Sequence, residues 1–310
     1  MGEVLIEDRG EGVLVATVSN PPHGLMDVEV VVALEALVDR LEADEAVTGV
    51  VITGDHPDRF VAHYDVPELL AGARQSPSVT PRAARAALGA VGAVRGIPGG
   101  KRALERTPAD GLSQAERFGE VFVRLNTCGA IVTAAINGSA MGGGCELALA
   151  CDLRLMADGP YGIGQPEILL GFPPGGGGTQ RLTRLLGTRR ALGICLDGGP
   201  LDPHDAVELG LVDEVVPREE LLDRAIAVTT RLARRSKAAI AAVKRAVHLG
   251  GSMPFEAGLR LERAEFMATL VSPTAVDAMA AYVEATERTG DLPLYDDEAR
   301  ADAVERGRFD

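Results

Sequence analysis

Two glutamates in this chain stand beside backbone that glycine has cleared. Glu146 follows three consecutive glycines in NGSAMGGGCELALACDL (residues 137–153), and Glu167 follows a proline in YGIGQPEILLGFPPGGGGTQRL (residues 161–182). Both are flanked by apolar sequence. Paired carboxylates in such surroundings suit the addition of water, because one takes a proton from water while the other returns one. The glycines add a second element. A glycine run ahead of a helix lets a ligand reach backbone amides whose unpaired N–H groups and helix dipole favour developing negative charge. The plainer reading of the first segment is a tight strand-to-helix turn with Glu146 as an ordinary first-turn acid. A third segment, DRFVAHYDVPELL (residues 58–70), follows a strand and enters a helix near Asp65, leaving another backbone donor ahead of a helix. Taken alone, His63 and Tyr64 read equally well as half-buried loop side chains.

Several classes are excluded or disfavoured. The GGGGT run lacks the Lys-Ser/Thr ending of a phosphate loop, so a nucleoside triphosphatase is not indicated. A formal net charge of -14 opposes binding to nucleic acid or to an anionic membrane surface. An anionic ligand then requires a local site of backbone amides or a few arginines. No apolar run reaches the roughly 18 residues of a membrane span, and MGEVLIEDRG lacks the basic start and apolar stretch of a secretory signal. A soluble, cytoplasmic protein is expected. Cys128, Cys145, Cys151 and Cys195 have no CxxC spacing and lie in apolar sequence, which predicts buried free thiols and no metal site.

The elements that must position these groups are legible in outline. GVLVATVSN alternates as a strand, VVVALEALVDRLEAD has helical spacing, and VTGVVITGD is a β-branched run ending in a turn. The order then recurs with SQAERFGEVFVRLN (helix), AIVTAAING (strand), CELALACDL (helix) and LRLMAD (strand), which predicts an α/β core of stacked repeats over residues 1–200. Beyond residue 200 the strands nearly stop. Ala/Leu/Arg-rich helical segments follow through residue 310, as a helical appendage. Residues 73–112 mix Pro, Gly, Arg and Ala without a sustained apolar stripe, and read as a long mobile connection, a lid or a plain surface insertion. Within them RAARAALGAVGAVR has the composition of a short amphipathic helix, whose Leu88 and Val91 would touch an acyl chain if it covered the site.

Together FVAHYDV, NGSAMGGGCELALACDLRL and GQPEILLGFPPGGGGTQRLTRLLG resemble the signature of the crotonase superfamily and, within it, of the enoyl-CoA hydratases. The resemblance covers roughly residues 4–285 and is most specific over 137–187. It implies a ClpP/crotonase-like spiral of ββα units with a C-terminal helical region used for trimerisation and pocket closure, and a homotrimer or dimer of trimers. It implies an acyl-CoA thioester substrate, with coenzyme A as part of that substrate, no separate cofactor and no metal. By the same resemblance the amides of Tyr64 and Gly143 form an oxyanion hole, and Glu146 and Glu167 are catalytic. Glu146 would mainly activate water and Glu167 mainly deliver the proton. Ala62, Tyr64, Asp65, Val66, Gly143 and Gly175 would bind substrate, Gly175 by approaching the water.

The chain also departs from the family pattern. Ala62-His63-Tyr64-Asp65 stands where the family most often has Ala-Gly-Ala-Asp, so two small residues have become large. The hole uses an amide, and Tyr64 still supplies one. His63 reads as a wall or surface residue rather than an acid or base. The stretch from 71 to about 112 is longer than usual, and the C-terminus lacks the family's Glu-Lys-Arg-Lys-Pro-like ending, leaving the expected lysine contact to the CoA nucleotide without a match. Hydration of a 2-enoyl-CoA in fatty-acid or related acyl-CoA metabolism is the expected reaction. Its alternatives are enoyl-CoA isomerisation, acyl-CoA hydrolysis or non-catalytic acyl-CoA binding.

Overall fold

The computed structural model describes residues 2–107 and 109–309. The described residues open with a hairpin, β1 (Glu3–Asp8) and β2 (Val13–Ser19), the only antiparallel pair in the large sheet among those residues. Helix α1 (Val28–Ala43) follows, capped by Asp27, whose carboxylate accepts from the Val30 amide at 2.8 Å. Strands β3 (Gly49–Gly54) and β4 (Arg59–Val61) then lead into α2 (Val66–Gln75), α3 (Pro81–Arg95), α4 (Gly100–Leu104) and α5 (Asp110–Leu125). The next unit is β5 (Ile131–Ile136), β6 (Ser139–Met141) and α6 (Gly143–Ala150). The third is β7 (Leu153–Ala157), β8 (Ile163–Gly164), a 3-10 turn at Glu167–Leu170, α7 (Gly178–Leu186) and α8 (Thr188–Asp197). Helix α9 (Pro203–Glu208) and β9 (Glu214–Val216) complete the sheet, and α10 (Leu221–Ala233), α11 (Lys237–His248), α12 (Phe255–Leu270), α13 (Pro273–Thr289) and α14 (Asp297–Arg306) end the chain.

The large sheet has the order β1-β2-β3-β5-β7-β9, and all its pairings after the first are parallel. Successive residues of a strand face opposite sides. Leu14, Ala16, Val50, Ile52, Val132 and Ala134 point into the main core with α1, α5 and α6. Val15, Val51, Ala135 and Leu155 point the other way, under Leu221 and Ala225 of α10. Both faces are therefore covered, which is why these strands read as continuous apolar runs.

A second, smaller parallel sheet sets the geometry of the site. Its order is β4-β6-β8, one short strand from each ββα unit. Asn137 ties the turns together, accepting from the Gly54 amide at 3.1 Å and donating to the Gly54 carbonyl at 3.0 Å. Phe60, in the middle of β4, is fully buried in the core beneath. Truncating such a side chain to alanine costs about 3–5 kcal/mol.

Beyond residue 200 the strands nearly stop, as expected: among the described residues β9 alone follows, pairing with β7, and α10 covers the sheet beyond it. The 73–112 stretch carries the helix expected at RAARAALGAVGAVR, as part of α3. Apart from Pro108, which lies outside the described residues, it is mostly helical, and α3 packs on α5. Glu35 of α1 anchors it, meeting Lys101 at 2.6 Å and Arg117 at 3.0 Å, while Arg95 meets Glu120 at 2.7 Å. It shows no sustained apolar stripe because, among its described residues, few side chains are buried: Val91, Leu104 and the arginine Arg95. Cys195 is only part-buried, whereas the other three thiols are buried, and all four are free.

Among the described residues no single helix is long and apolar enough to cross a membrane. Helices α12 and α13 meet at 77°. They carry many exposed apolar side chains, including Phe255, Phe266, Met267 and Val283. Helix α14 folds back on α10, with Arg234 bonded to Glu305 at 2.7 Å.

Candidate active site

Each strand of the small sheet delivers one part of the site. At the end of β4, Ala62 is held by its amide to Gly24 O at 2.7 Å and by its carbonyl to the Met141 amide at 3.1 Å. The chain then passes His63 and Tyr64 and enters α2, where Asp65 caps the helix through the Glu68 amide at 3.1 Å. Bonds from Met26 N to His63 O and from Asp65 N to Met26 O fix this turn on both sides of Tyr64. Within the described residues the Tyr64 amide itself has no acceptor.

Of the three glycines at the end of β6, Gly142 is required by its backbone conformation and Gly144 by what lies against it, while a side chain on Gly143 would be in ordinary contact. Gly142 has φ 52 and ψ -119, a conformation reserved for glycine. A side chain on Gly142 would also lie 3.0 Å from Glu167 Oε1. One on Gly143 would lie 3.4 Å from the Tyr64 nitrogen, and one on Gly144 would collide with the Val61 carbonyl at 1.9 Å. The run thus brings the start of α6 onto the end of β4. Gly143 N, like Tyr64 N, has no acceptor among the described residues.

The end of β8 passes through the fully buried Gln165 to Glu167 in the 3-10 turn. With its amide oriented to suit its surroundings, the Gln165 nitrogen donates to both Glu167 oxygens, at 3.0 and 3.1 Å. Glu146, in the first turn of α6, is only 2 % exposed. Its Oε1 accepts from the Gly176 amide at 2.7 Å and the Gly178 amide at 2.8 Å. These bonds suit an ionised carboxylate, since that form only accepts.

Burial pushes both acids up. For Glu146 the loop amides and the Arg181 charge oppose the rise. Glu167 has weaker opposition and the negative charge of Glu146 nearby, and is pushed up to about 7. A pair of carboxylates in unequal surroundings, one of them poised near neutrality, can divide the roles of base and acid.

The structure brings Glu146, Glu167, Gly143 and the Tyr64 amide into one neighbourhood. Ala62 is buried beside them, while Asp65 and Val66 are half-buried at the start of α2, where the Asp65 carboxylate serves as a cap. His63 is exposed, its Nδ1 2.8 Å from the Tyr64 carbonyl. Gly175 has open space where a side chain would be, and it is the next residue, Gly176, that faces Glu146. The Tyr64 phenol points away from its own amide, donating to Glu68 at 3.0 Å.

Sequence reasoning missed Phe118. This α5 residue has its ring edge-on to Tyr64 with centroids 5.6 Å apart, and it lies against both Gly143 and Gly176. Its spacing with Phe122 marked an apolar helix face but did not mark which side of the core it faced. Leu88 is half-buried and Val91 buried on α3. Gly92 and Arg95 of that helix meet Glu116, Ser113 and Glu120, the side of α5 opposite Phe118.

Comparison with known proteins agrees with this architecture. Residues 101–289 match the enoyl-CoA hydratase/isomerase family profile. The short-chain-enoyl-CoA hydratase of Clostridium acetobutylicum is 28% identical over 285 residues, covering 92% of this chain and 95% of that protein. A probable mitochondrial enoyl-CoA hydratase of Dictyostelium discoideum is 42% identical over 153 residues, a match that spans 49% of this chain and only 55% of the relative's length. A crystal structure of "Enoyl-CoA hydrates" from Geobacillus kaustophilus HTA426 superposes with TM-score 0.74 at 26% identity, covering 92% of this chain and 94% of the other. The spiral of ββα units, the glycine-lined start of α6 and these matches agree: the chain belongs to the enoyl-CoA hydratase/isomerase family of the crotonase superfamily.

Proposed function

We propose that the protein is an enoyl-CoA hydratase, a hydro-lyase that reversibly adds water across the 2,3 double bond of a 2-enoyl-CoA thioester to give a 3-hydroxyacyl-CoA. The observation that carries this reading is the placement of two buried carboxylates, Glu167 against Gly142 and Glu146 against Gly176, in the neighbourhood of the acceptor-free amides of Tyr64 and Gly143.

In this reading the thioester oxygen accepts hydrogen bonds from Tyr64 N and Gly143 N. As the water oxygen bonds to C3, the C2–C3 π electrons move toward the carbonyl, and the charge gathers on an oxygen held by two fixed donors at the start of α6. Each such donor is worth about 3 kcal/mol in the transition state. Glu146 takes a proton from the water, and Glu167 gives its proton to C2. The proton returns from Glu146 to Glu167 before the next turnover, and the two titrate as a pair. Gly175 and Gly176 flank the water, and Ala62, Asp65 and Val66 form the wall near the thioester. This chemistry moves only water and a proton, so it calls for no redox cofactor or metal, and coenzyme A enters as part of the substrate.

The exposed apolar faces of α12 and α13 support self-association as a homotrimer or a dimer of trimers. Light scattering at micromolar concentration tests this, and a monomer refutes it. The function is tested by incubating the protein with a panel of 2-enoyl-CoAs, following loss of the conjugated thioester absorbance and identifying the product. A 3-hydroxyacyl-CoA is expected. A shifted double bond, free coenzyme A or no reaction would overturn the reading in favour of an isomerase, a hydrolase or a binding protein respectively.

A further inference from the structure

Arg181, on the second turn of α7, is tied at three points. Its Nε donates to Asn126 Oδ1 at 2.9 Å, its Nη1 donates to the Gly176 carbonyl at 2.9 Å, and its guanidinium lies over the Phe122 ring, 5.8 Å from the centroid. Asn126 is itself fixed, donating from Nδ2 to Ala150 O at the end of α6, at 2.9 Å. The peptide that arginine grips is part of the loop that grips Glu146, since Gly176 N and Gly178 N both donate to its Oε1. Gly177, between them, has φ +107, and a side chain there would strike Arg181 Nη1 at 2.1 Å. The loop is therefore threaded between a cation on one side and a carboxylate on the other.

We infer that Arg181 is a positioning residue for Glu146, aiming the Gly176–Gly178 amides at its carboxylate through the Gly176 carbonyl and keeping that carboxylate ionised. The inference rests on Glu146 acting as the base in the proposed hydration. A guanidinium suits the task, because it stays charged when buried and its fork spans a side-chain oxygen and a peptide oxygen at once. Of the other titratable groups near Glu146, Glu167 from the 3-10 turn disfavours a second negative charge, while burial and the two glutamates push up the thiols of Cys145 from α6 and Cys195 from α8, so that these supply no charge. Arg184, one turn further along α7, disfavours the charge on Arg181 and bonds instead to Gln180 and Ser252. Arg181 is thus the cation available to offset burial of the base.

The test uses the full-length protein with carbon-13 in its glutamate carboxyls, titrated by NMR without ligand, with the Glu146 signal assigned by its loss in Glu146→Gln. In Arg181→Gln the Glu146 carboxyl should titrate about one pH unit or more higher than in the parent, as expected for losing an opposite charge at close range. Arg181→Lys should restore most of that position. On crotonyl-CoA, Arg181→Gln should lower kcat at neutral pH by about 10-fold or more with KM within about 2-fold, and move the alkaline rise of the base limb by the same amount. Arg181→Lys should recover only part of kcat, since it returns the charge without the fork. If Arg181→Gln does not fold, Asn126→Ala, which frees the guanidinium but keeps its charge, should lower kcat with KM preserved. An unmoved Glu146 titration in Arg181→Gln, or an unchanged kcat in the variant that folds, overturns the inference. Absence of hydration by the parent protein would instead sink the hydratase reading, while the ligand-free titration still decides whether Arg181 governs Glu146.

Discussion

A β-carbon on Gly176 would lie 2.6 Å from Oε2 of Glu146 and 2.2 Å from the Phe118 ring. The backbone of this residue therefore touches the proposed base at closest range, and the ring behind it leaves no room to retreat. Gly176→Ala is expected to push the loop away from Glu146 and cost about 100-fold in kcat, the scale of an ångström-sized misplacement at a reacting centre. Steady-state kinetics on crotonyl-CoA with circular dichroism of the same sample checks it. A folded variant with native kcat would show that the Gly176 contact does not matter for the chemistry.

Glu146→Gln and Glu167→Gln should each lower kcat by about 100-fold or more while leaving CoA-thioester affinity within a few-fold, because both side chains act on water and neither on the nucleotide. The double variant should be little worse than either single one, since the two share one water. Turnover and calorimetric binding, measured separately, decide this. Near-native turnover in either single variant excludes the two-carboxylate mechanism.

The Glu167 carboxyl, pushed up from 4.5 to about 7, carries a stability signature. Its folded pKa lies above its unfolded one, so between those values the native state holds more proton than the unfolded state. The contribution is fully present below about 4.5 and is lost as pH rises through about 7. Allowing for the water that still reaches the group, the loss is on the order of 2 kcal/mol. Glu167→Gln should therefore raise stability relative to the parent more at pH ~8 than at pH ~5. Urea melts at the two values test it, and an equal effect at both would place the carboxyl at an ordinary pKa.

Tyr64→Phe should be mild. The ring contact with Phe118 survives, and the only group removed is the phenol that donates to Glu68. A loss of about 1 kcal/mol in stability and less than about 3-fold in kcat is expected. A larger kinetic effect would implicate the hydroxyl in the reaction and count against the backbone amide as the working donor.

Much of the frame was legible because its signals are local. The strand at Gly49–Gly54 and the helix at Val28–Ala43 follow from period and capping alone, and the triple glycine announced a close backbone approach. The strands of the small sheet were less visible. Ser139–Met141 and Ile163–Gly164 are too short for any alternation, and they exist because neighbouring strands and the core hold them. Leu153–Ala157 was readable as a strand, yet its partner β9 at Glu214–Val216 was not, since three residues carry no period. Phe118 and Arg181 escaped notice for a different reason. Their roles depend on which face of α5 or α7 meets the glycine loop, a relation between distant segments that no single stretch encodes.

The pairings of Val61 with Ala140 and of Ala140 with Ile163 have a consequence for how this chain can change over time. The distances between the Tyr64 amide, Gly143 and Glu167 are set by hydrogen bonds across three adjacent strand ends, and the chain running between those ends does not enter into them. The helices from Val66 to Leu104 can lengthen, shrink or be exchanged without altering the spacing at the reacting centre, provided α5 keeps Phe118 against Gly176 and Phe122 under Arg181. The spacing of the reacting centre and the make-up of the segment between β4 and β5 are thereby separable in this architecture: helices can be grafted into the segment while the spacing is inherited intact.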